Sequence, residues 1–137
     1  MFKRIAHVCL GARDLERSVA WYEKLGFRQL FDFTRAGHRF GVYMKLAEGS
    51  FIEIFEDPGM GEVVNNGILH FCLETDDLDR LTAALAERGV DFSPKKLGVD
   101  GTWQIWLEDP DGNRFEVHQY TLDSAQHTGG VSIEADW

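Results

Sequence analysis

A chain of 137 residues is long enough to bury a core without disulfide help, and a content of 44% apolar and 12% aromatic residues is too rich for disorder. The net charge of −9 argues against nucleic acid or anionic membrane as the main partner, because neutralising phosphate takes a basic face. No apolar run approaches the roughly 20 residues that span a bilayer, so a small molecule is the more natural partner.

The opening MFKRIAHV lacks the apolar stretch of a secretory signal. The expectation is a cytoplasmic protein whose Cys9 and Cys72, each set in an apolar run, are buried, reduced thiols. Residues 4–10, with β-branched Ile5 and Val8 in a short apolar run, read as a strand. Asp14 to Leu25 reads as a helix with Leu15, Val19 and Tyr22 on one face and Gly26 as its stop. Strand-like runs follow at about 27–34, 39–46 and 51–56, the last two joined by EGS. Asp57 to Asn66, with Pro58 and its glycines, reads as a linker.

The pattern then restarts. Residues 68–74 predict a strand, and Asp77 to Arg88 a helix with Leu78, Leu81 and Leu85 on one face and Gly89 behind it. Strands follow at about 91–97, 103–108 and 114–120, the last two joined by the turn DPDGN. Residues 123–137 read as a polar arm with a short strand at Val131–Glu134.

IAHVCLGARDLER, from Ile5, returns sixty-three residues later as ILHFCLETDDLDR, from Ile68. The offset pairs His7 with His70, Cys9 with Cys72, Asp14 with Asp77, Gly26 with Gly89 and Glu53 with Glu116. A chance match does not hold register from the first strand to the last. The expectation is an α+β fold of two tandem βαβββ modules, about 4–56 and 67–122. Their sheets would form a curved half-barrel with the helices outside.

Strand side chains alternate faces, so His7 and Cys9 share one face, as do His70 and Cys72. Glu53 stands between apolar Ile52 and Ile54, and Glu116 between Phe115 and Val117. An isolated carboxylate in an apolar strand is costly unless it is paired or holds a metal. One strand histidine is more often a satisfied core residue than a ligand. Two His and two Glu in repeat-equivalent positions shift the balance to a divalent ion such as Zn, Ni, Co, Mn or Fe. His118 shares the face of Glu116, and is more simply a hydrogen-bonded core or rim histidine. Trp103 and Trp106 lie one strand from Glu116, and which faces the ligands stays open. Arg35, His38 and Arg39 read as a solvated turn rather than an anion grip.

The phrases HVCLGARDLERSVAWYEKLGF and EDPDGNRFEV, with a histidine opening and a glutamate closing each module, resemble the vicinal oxygen chelate superfamily over residues 4–120. That group includes glyoxalase I, fosfomycin-resistance transferases, extradiol dioxygenases and bleomycin-binding proteins. The resemblance implies His7, Glu53, His70 and Glu116 as ligands of one divalent metal, closest to the glyoxalase I set. It implies Glu116 or Glu53 as the catalytic base, a homodimer, and a lyase or isomerase acting on vicinal oxygens through an enediolate. The alternatives are an Fe(II) extradiol-type dioxygenase and a non-catalytic drug- or metabolite-binding protein. The substrate side departs from glutathione-dependent members, which often carry Arg where this chain has Gly11, and Asn where it has Asp57.

Overall fold

The computed structural model describes residues 3–63, 67–129 and 132–133. In chain order these form β1 (His7–Ala12), α1 (Leu15–Lys24), β2 (Arg28–Arg35), β3 (His38–Ala47), β4 (Ser50–Glu56) and β5 (Phe71–Glu74). Then come α2 (Leu78–Glu87), β6 (Lys96–Leu97), β7 (Trp103–Glu108), β8 (Arg114–Gln119) and the short α3 (Ala125–Thr128). The fold is α+β, with two four-stranded sheets ordered β1-β4-β3-β2 and β5-β8-β7-β6. In each sheet the module's first strand lies parallel to its last, and the remaining pairs are antiparallel. The two modules therefore share one βαβββ topology.

By packing, the chain divides into two compact units. One comprises Met1–Asn66 together with Asp109–Asn113, and the other Gly67–Glu108 together with Arg114–Trp137. Both long helices start on an aspartate in extended conformation whose side chain accepts the N–H three residues on: Asp14 from Arg17 at 3.0 Å, and Asp77 from Arg80 at 2.9 Å. This cap satisfies one of the donors a helix start leaves orphaned. Leu15, Val19 and Tyr22 of α1 are buried with Val42, Met44, Ile52 and Ile54 of their sheet. In the second unit Leu78 and Leu85 of α2 are buried, as are Ile105, Leu107, Phe115 and Val117.

The first strand of each module begins later than the sequence implies, at His7 and at Phe71. The parallel register explains both shifts. His7 lies opposite Phe51 and Phe71 opposite Phe115, each the second residue of its partner strand. Upstream residues have no ladder to join, and Ile5 and Ile68 are exposed. The predicted strand 91–97 shrinks to β6 because Pro94 has no N–H to donate. Ser93 bridges the gap: its N–H donates to Trp106 O at 2.9 Å, and its Oγ accepts from the Trp106 N–H at 2.9 Å. In the arm, α3 was not foreseen. Ser132 and Ile133 are not in a strand, while Val131 and Glu134 lie outside the described residues.

β2 and β3 are joined by Ala36 and Gly37, both at positive φ, 49° and 81°. That pair matches the two-residue hairpin turn whose twist suits flanking strands.

Candidate metal centre

In the first unit His7 opens β1 and Glu53 sits at the middle of β4. Cys9 is the direct cross-strand partner of Glu53, so the face that carries His7 also carries the glutamate. His7 Nε2 stands 3.3 Å from Glu53 Oε2. The other ring nitrogen, Nδ1, lies 3.4 Å from the Tyr43 hydroxyl, and the Tyr43 ring meets the imidazole edge-on at 5.7 Å. A partner at the far nitrogen fixes ring orientation and tautomer, which is how ligating histidines are commonly held. Sequence reasoning did not single out Tyr43.

The second unit repeats this arrangement with changes. His70 Nε2 stands 3.5 Å from Glu116 Oε2. Trp106, at the repeat-equivalent position of Tyr43, meets His70 edge-on at 4.8 Å. It is the cross-strand partner of Glu116, so of the two tryptophans it is Trp106 that shares the face of Glu116. The signal was present in the sequence, since the offset of sixty-three pairs an aromatic with an aromatic at 43 and 106. His118 Nε2 lies 2.9 Å from the same Glu116 oxygen. Module one has Phe55 at the equivalent place.

Accessibility differs between the two residue types. The side chains of His7 and His70 are 38% and 37% exposed, while those of Glu53 and Glu116 are 19% and 9% exposed. Half-open imidazoles over shielded carboxylates fit a divalent ion that must also meet substrate. Within each unit the pair offers one imidazole nitrogen and one carboxylate oxygen, donor types that suit a borderline divalent ion.

The cysteines correct an expectation, because both are exposed and neither is in a disulfide. They sit on the face that carries Glu53 and Glu116, not the face that packs on a helix. Burial and the Glu53 carboxylate raise the Cys9 thiol above its ordinary pKa. Burial of the sulfur and the Glu116 charge push the Cys72 thiol up to about 12.

A second polar cluster was missed altogether. The turn Asp109–Asn113 belongs to the first unit and packs on α1. Ser18 Oγ donates to Asp111 Oδ2 at 2.7 Å, and the Tyr22 hydroxyl donates to Asp109 Oδ2 at 2.9 Å. Arg17 Nη2 donates to Asp111 Oδ1 at 2.9 Å, and the Arg13 N–H reaches the same oxygen at 3.0 Å. All four side chains at 18, 22, 109 and 111 are buried. Burial alone would raise the Asp111 carboxyl, yet the Ser18 and Arg13 hydrogen bonds and the neighbouring arginines hold it below the ordinary value. The two family-like phrases of the sequence are thus halves of one hydrogen-bond network.

Gly11 has a local reason of its own, because a Cβ there would run into the Met60 sulfur. The 35–39 turn is engaged rather than free: Arg39 binds Asp32 at 2.8 Å and also pairs with Glu16 and Gln29, and Arg35 lies 4.5 Å over the Phe40 ring.

Residues 4–117 match the family model of the Glyoxalase/Bleomycin resistance protein/Dioxygenase superfamily. Among characterised proteins, the chain is 25% identical over 128 residues to a trivalent organoarsenical cleaving enzyme of Bacillus sp. (strain MD1), spanning 82% of this chain and 71% of that one. Among solved structures, a glyoxalase family protein from Enterococcus faecalis aligns with a TM-score of 0.77 at 26% identity, covering 86% of this chain and 98% of the other. A variant of the fosfomycin resistance protein FosX from Listeria monocytogenes, complexed with Mn(II) and 1S,2S-dihydroxypropylphosphonic acid, has the same fold. Its TM-score is 0.71 at 23% identity, covering 90% and 96% of the two chains. With a family match over nearly its whole length and two βαβββ modules in the expected order, the chain belongs to the Glyoxalase/Bleomycin resistance protein/Dioxygenase superfamily.

Proposed function

We propose that this protein is a divalent-metal-dependent enzyme of the glyoxalase I-like type, a lyase or isomerase acting on a small substrate with vicinal oxygens. The observation that carries the reading is the repeated His–Glu pair, His7 with Glu53 and His70 with Glu116, each at 3.3–3.5 Å on the face of a sheet that its helix does not cover. These four residues are the metal ligands in this reading. A bound ion, of the Zn, Ni, Co, Mn or Fe group, supplies Lewis acidity toward the two substrate oxygens.

The chain's own residues do the rest. Tyr43 and Trp106 hold the two imidazoles in place. Glu116 or Glu53 takes the proton from the carbon beside the substrate oxygens, leaving an enediolate, and returns it to the neighbouring carbon. Glu116 is the more shielded of the two carboxylates, which keeps competing water away from that proton transfer. The protein acts as a homodimer in this reading.

The test is metal content of the purified protein with and without His70→Ala and Glu116→Ala. Wild type is expected to carry about one ion per site and each variant to lose it, with activity on 2-oxoaldehyde adducts falling in parallel. Stoichiometric metal retained by Glu116→Ala, or full activity retained by His70→Ala, overturns the reading. Wild type with no tightly bound ion would favour a metabolite-binding protein, a role within the range of this family, whose bleomycin-binding protein has been solved with bleomycin.

A further inference from the structure

Module two carries donors that module one does not. Cys72 lies directly opposite Glu116 in the parallel β5–β8 pair, so both side chains leave the same face of the sheet. His118, two residues beyond Glu116 on β8, shares that face, with its Nε2 2.9 Å from the carboxylate. The Cys72 sulfur, a Glu116 oxygen and a His118 nitrogen all lie within 4.8 Å of one another. Module one has Cys9 and Glu53 at the matching positions, but Phe55 stands where His118 would be. The duplicated module therefore supplies an internal control, with a third donor in one copy only.

We infer that Cys72, Glu116 and His118 form a three-donor site for a borderline divalent cation of the zinc class, held within the second module. This shares Glu116 with the site proposed above but needs neither His7 nor Glu53. Zinc takes sulfur at about 2.3 Å and nitrogen or oxygen at about 2.0–2.2 Å in tetrahedral geometry, so donors around one ion stand roughly 3–4 Å apart. The three atoms, already within 4.8 Å of one another on paired strands, need draw in by only about 1 Å to meet one ion. Thiolate and carboxylate neutralise the dication, the imidazole adds a neutral donor, and the fourth position stays open to water or substrate. The Cys72 proton leaves to solvent as the sulfur–metal bond forms. The soft sulfur donor selects against Mg and Ca and in favour of Zn, Co or Cd.

Cobalt(II) reads the site directly, because a thiolate ligand gives a near-ultraviolet sulfur-to-metal charge-transfer band that nitrogen and oxygen donors do not. Metal-stripped full-length protein titrated with Co(II) is expected to show the band in wild type, in Cys9→Ser and in the His7→Ala/Glu53→Ala double variant. Cys72→Ser abolishes it. His118→Phe, which copies Phe55, weakens Co(II) binding by at least the roughly tenfold that even an outer partner of a ligand costs. Circular dichroism checks folding, and if Cys72→Ser does not fold, His118→Phe carries the test through the same band. Co(II) bound to wild type without the band overturns this inference and leaves the four-residue site standing. A band lost from the double variant also overturns it, by assigning the sulfur to the four-residue site. A double variant that keeps the band but has lost one equivalent of bound Co(II) supports both sites.

Discussion

Tyr43 shows how little chemistry separates a core aromatic from a positioning group. Its ring packs against Phe31, stacked at 4.9 Å, while its hydroxyl touches His7 Nδ1. Tyr43→Phe keeps the packing and removes only the hydrogen bond. It is expected to weaken metal binding by about 10- to 100-fold with little change in stability, measured by chelator competition and thermal melts. At Cys72 exposure and reactivity part company. The residue is exposed, but burial of its sulfur and the Glu116 charge hold the thiol protonated, at a pKa of about 12. Alkylation by iodoacetamide at pH 8 is expected to be far slower than that of a free thiol, which has a pKa of about 8.5. Glu116→Gln removes the charge and should speed it.

At the scale of elements, the polar joint between α1 and the 109–113 turn is the costliest to disturb. Asp111 has its side chain fully shielded and accepts from Ser18, Arg13 and Arg17. Asp111→Asn is expected to destabilise by about 1–3 kcal/mol, the range for a buried acceptor that loses its charged hydrogen bonds while its arginine partners stay half in water. Its folded pKa is depressed, so its contribution is fully present well above the unfolded value of about 3.9. It is lost as pH falls through that value toward the folded one. Wild type should therefore lose stability in acid more steeply than Asp111→Asn, as urea melts at pH 6 and pH 3 would show. At the β2–β3 turn, Ala36 holds a left-handed conformation that costs an L-residue roughly 1–2 kcal/mol. Ala36→Asn or Ala36→Gly should stabilise by up to about 1 kcal/mol.

These elements also show what the sequence made legible. The offset of sixty-three made both helices, their stops and the βαβββ succession along the chain visible, because side-chain period and punctuation are local properties. It made the His–Glu pairs visible for the same reason, since each recurs at one register. Strand ends at His7 and Phe71 were not legible, because they depend on where a partner strand turns away. The Asp109–Tyr22 and Asp111–Ser18 contacts were not legible either. They join residues 87 and 93 positions apart, and the repeat hides them. At the same offset Ser18 and Tyr22 become Leu81 and Leu85, and Asp109 and Asp111 become Leu46 and Glu48. A feature present in one copy only leaves no echo to find. The buried-thiol expectation failed because apolar neighbours in sequence alternate faces with Cys9 and Cys72, and so report on the opposite side of the sheet.

For the molecule as a whole, the formal charge of −9 favours cations, and the metal site proposed above would couple ion binding to folding. Among the described residues no helix is long and apolar enough to cross a membrane. An ion that binds only the folded chain stabilises it by about 2.7 kcal/mol at a hundredfold excess over Kd. Dialysis against a chelator is expected to lower Tm by several degrees, and returning Zn(II) or Mn(II) should restore it. His7→Ala/Glu53→Ala should respond less to the same treatment.

The assignment of Asp109–Asn113 to the first unit means that the first half of the chain is unfinished when its own last strand is complete. Until residue 113 has been synthesised, the carboxylates that accept from Ser18 and Tyr22 in the folded chain are not yet in place. A ribosome-bound or truncated first half would thus expose α1's polar face to whatever chaperone or neighbour reaches it, and cutting the gene at the linker would separate a lock from its key. Splitting it instead after Asn113 would keep Asp109 and Asp111 on the same fragment as Ser18 and Tyr22.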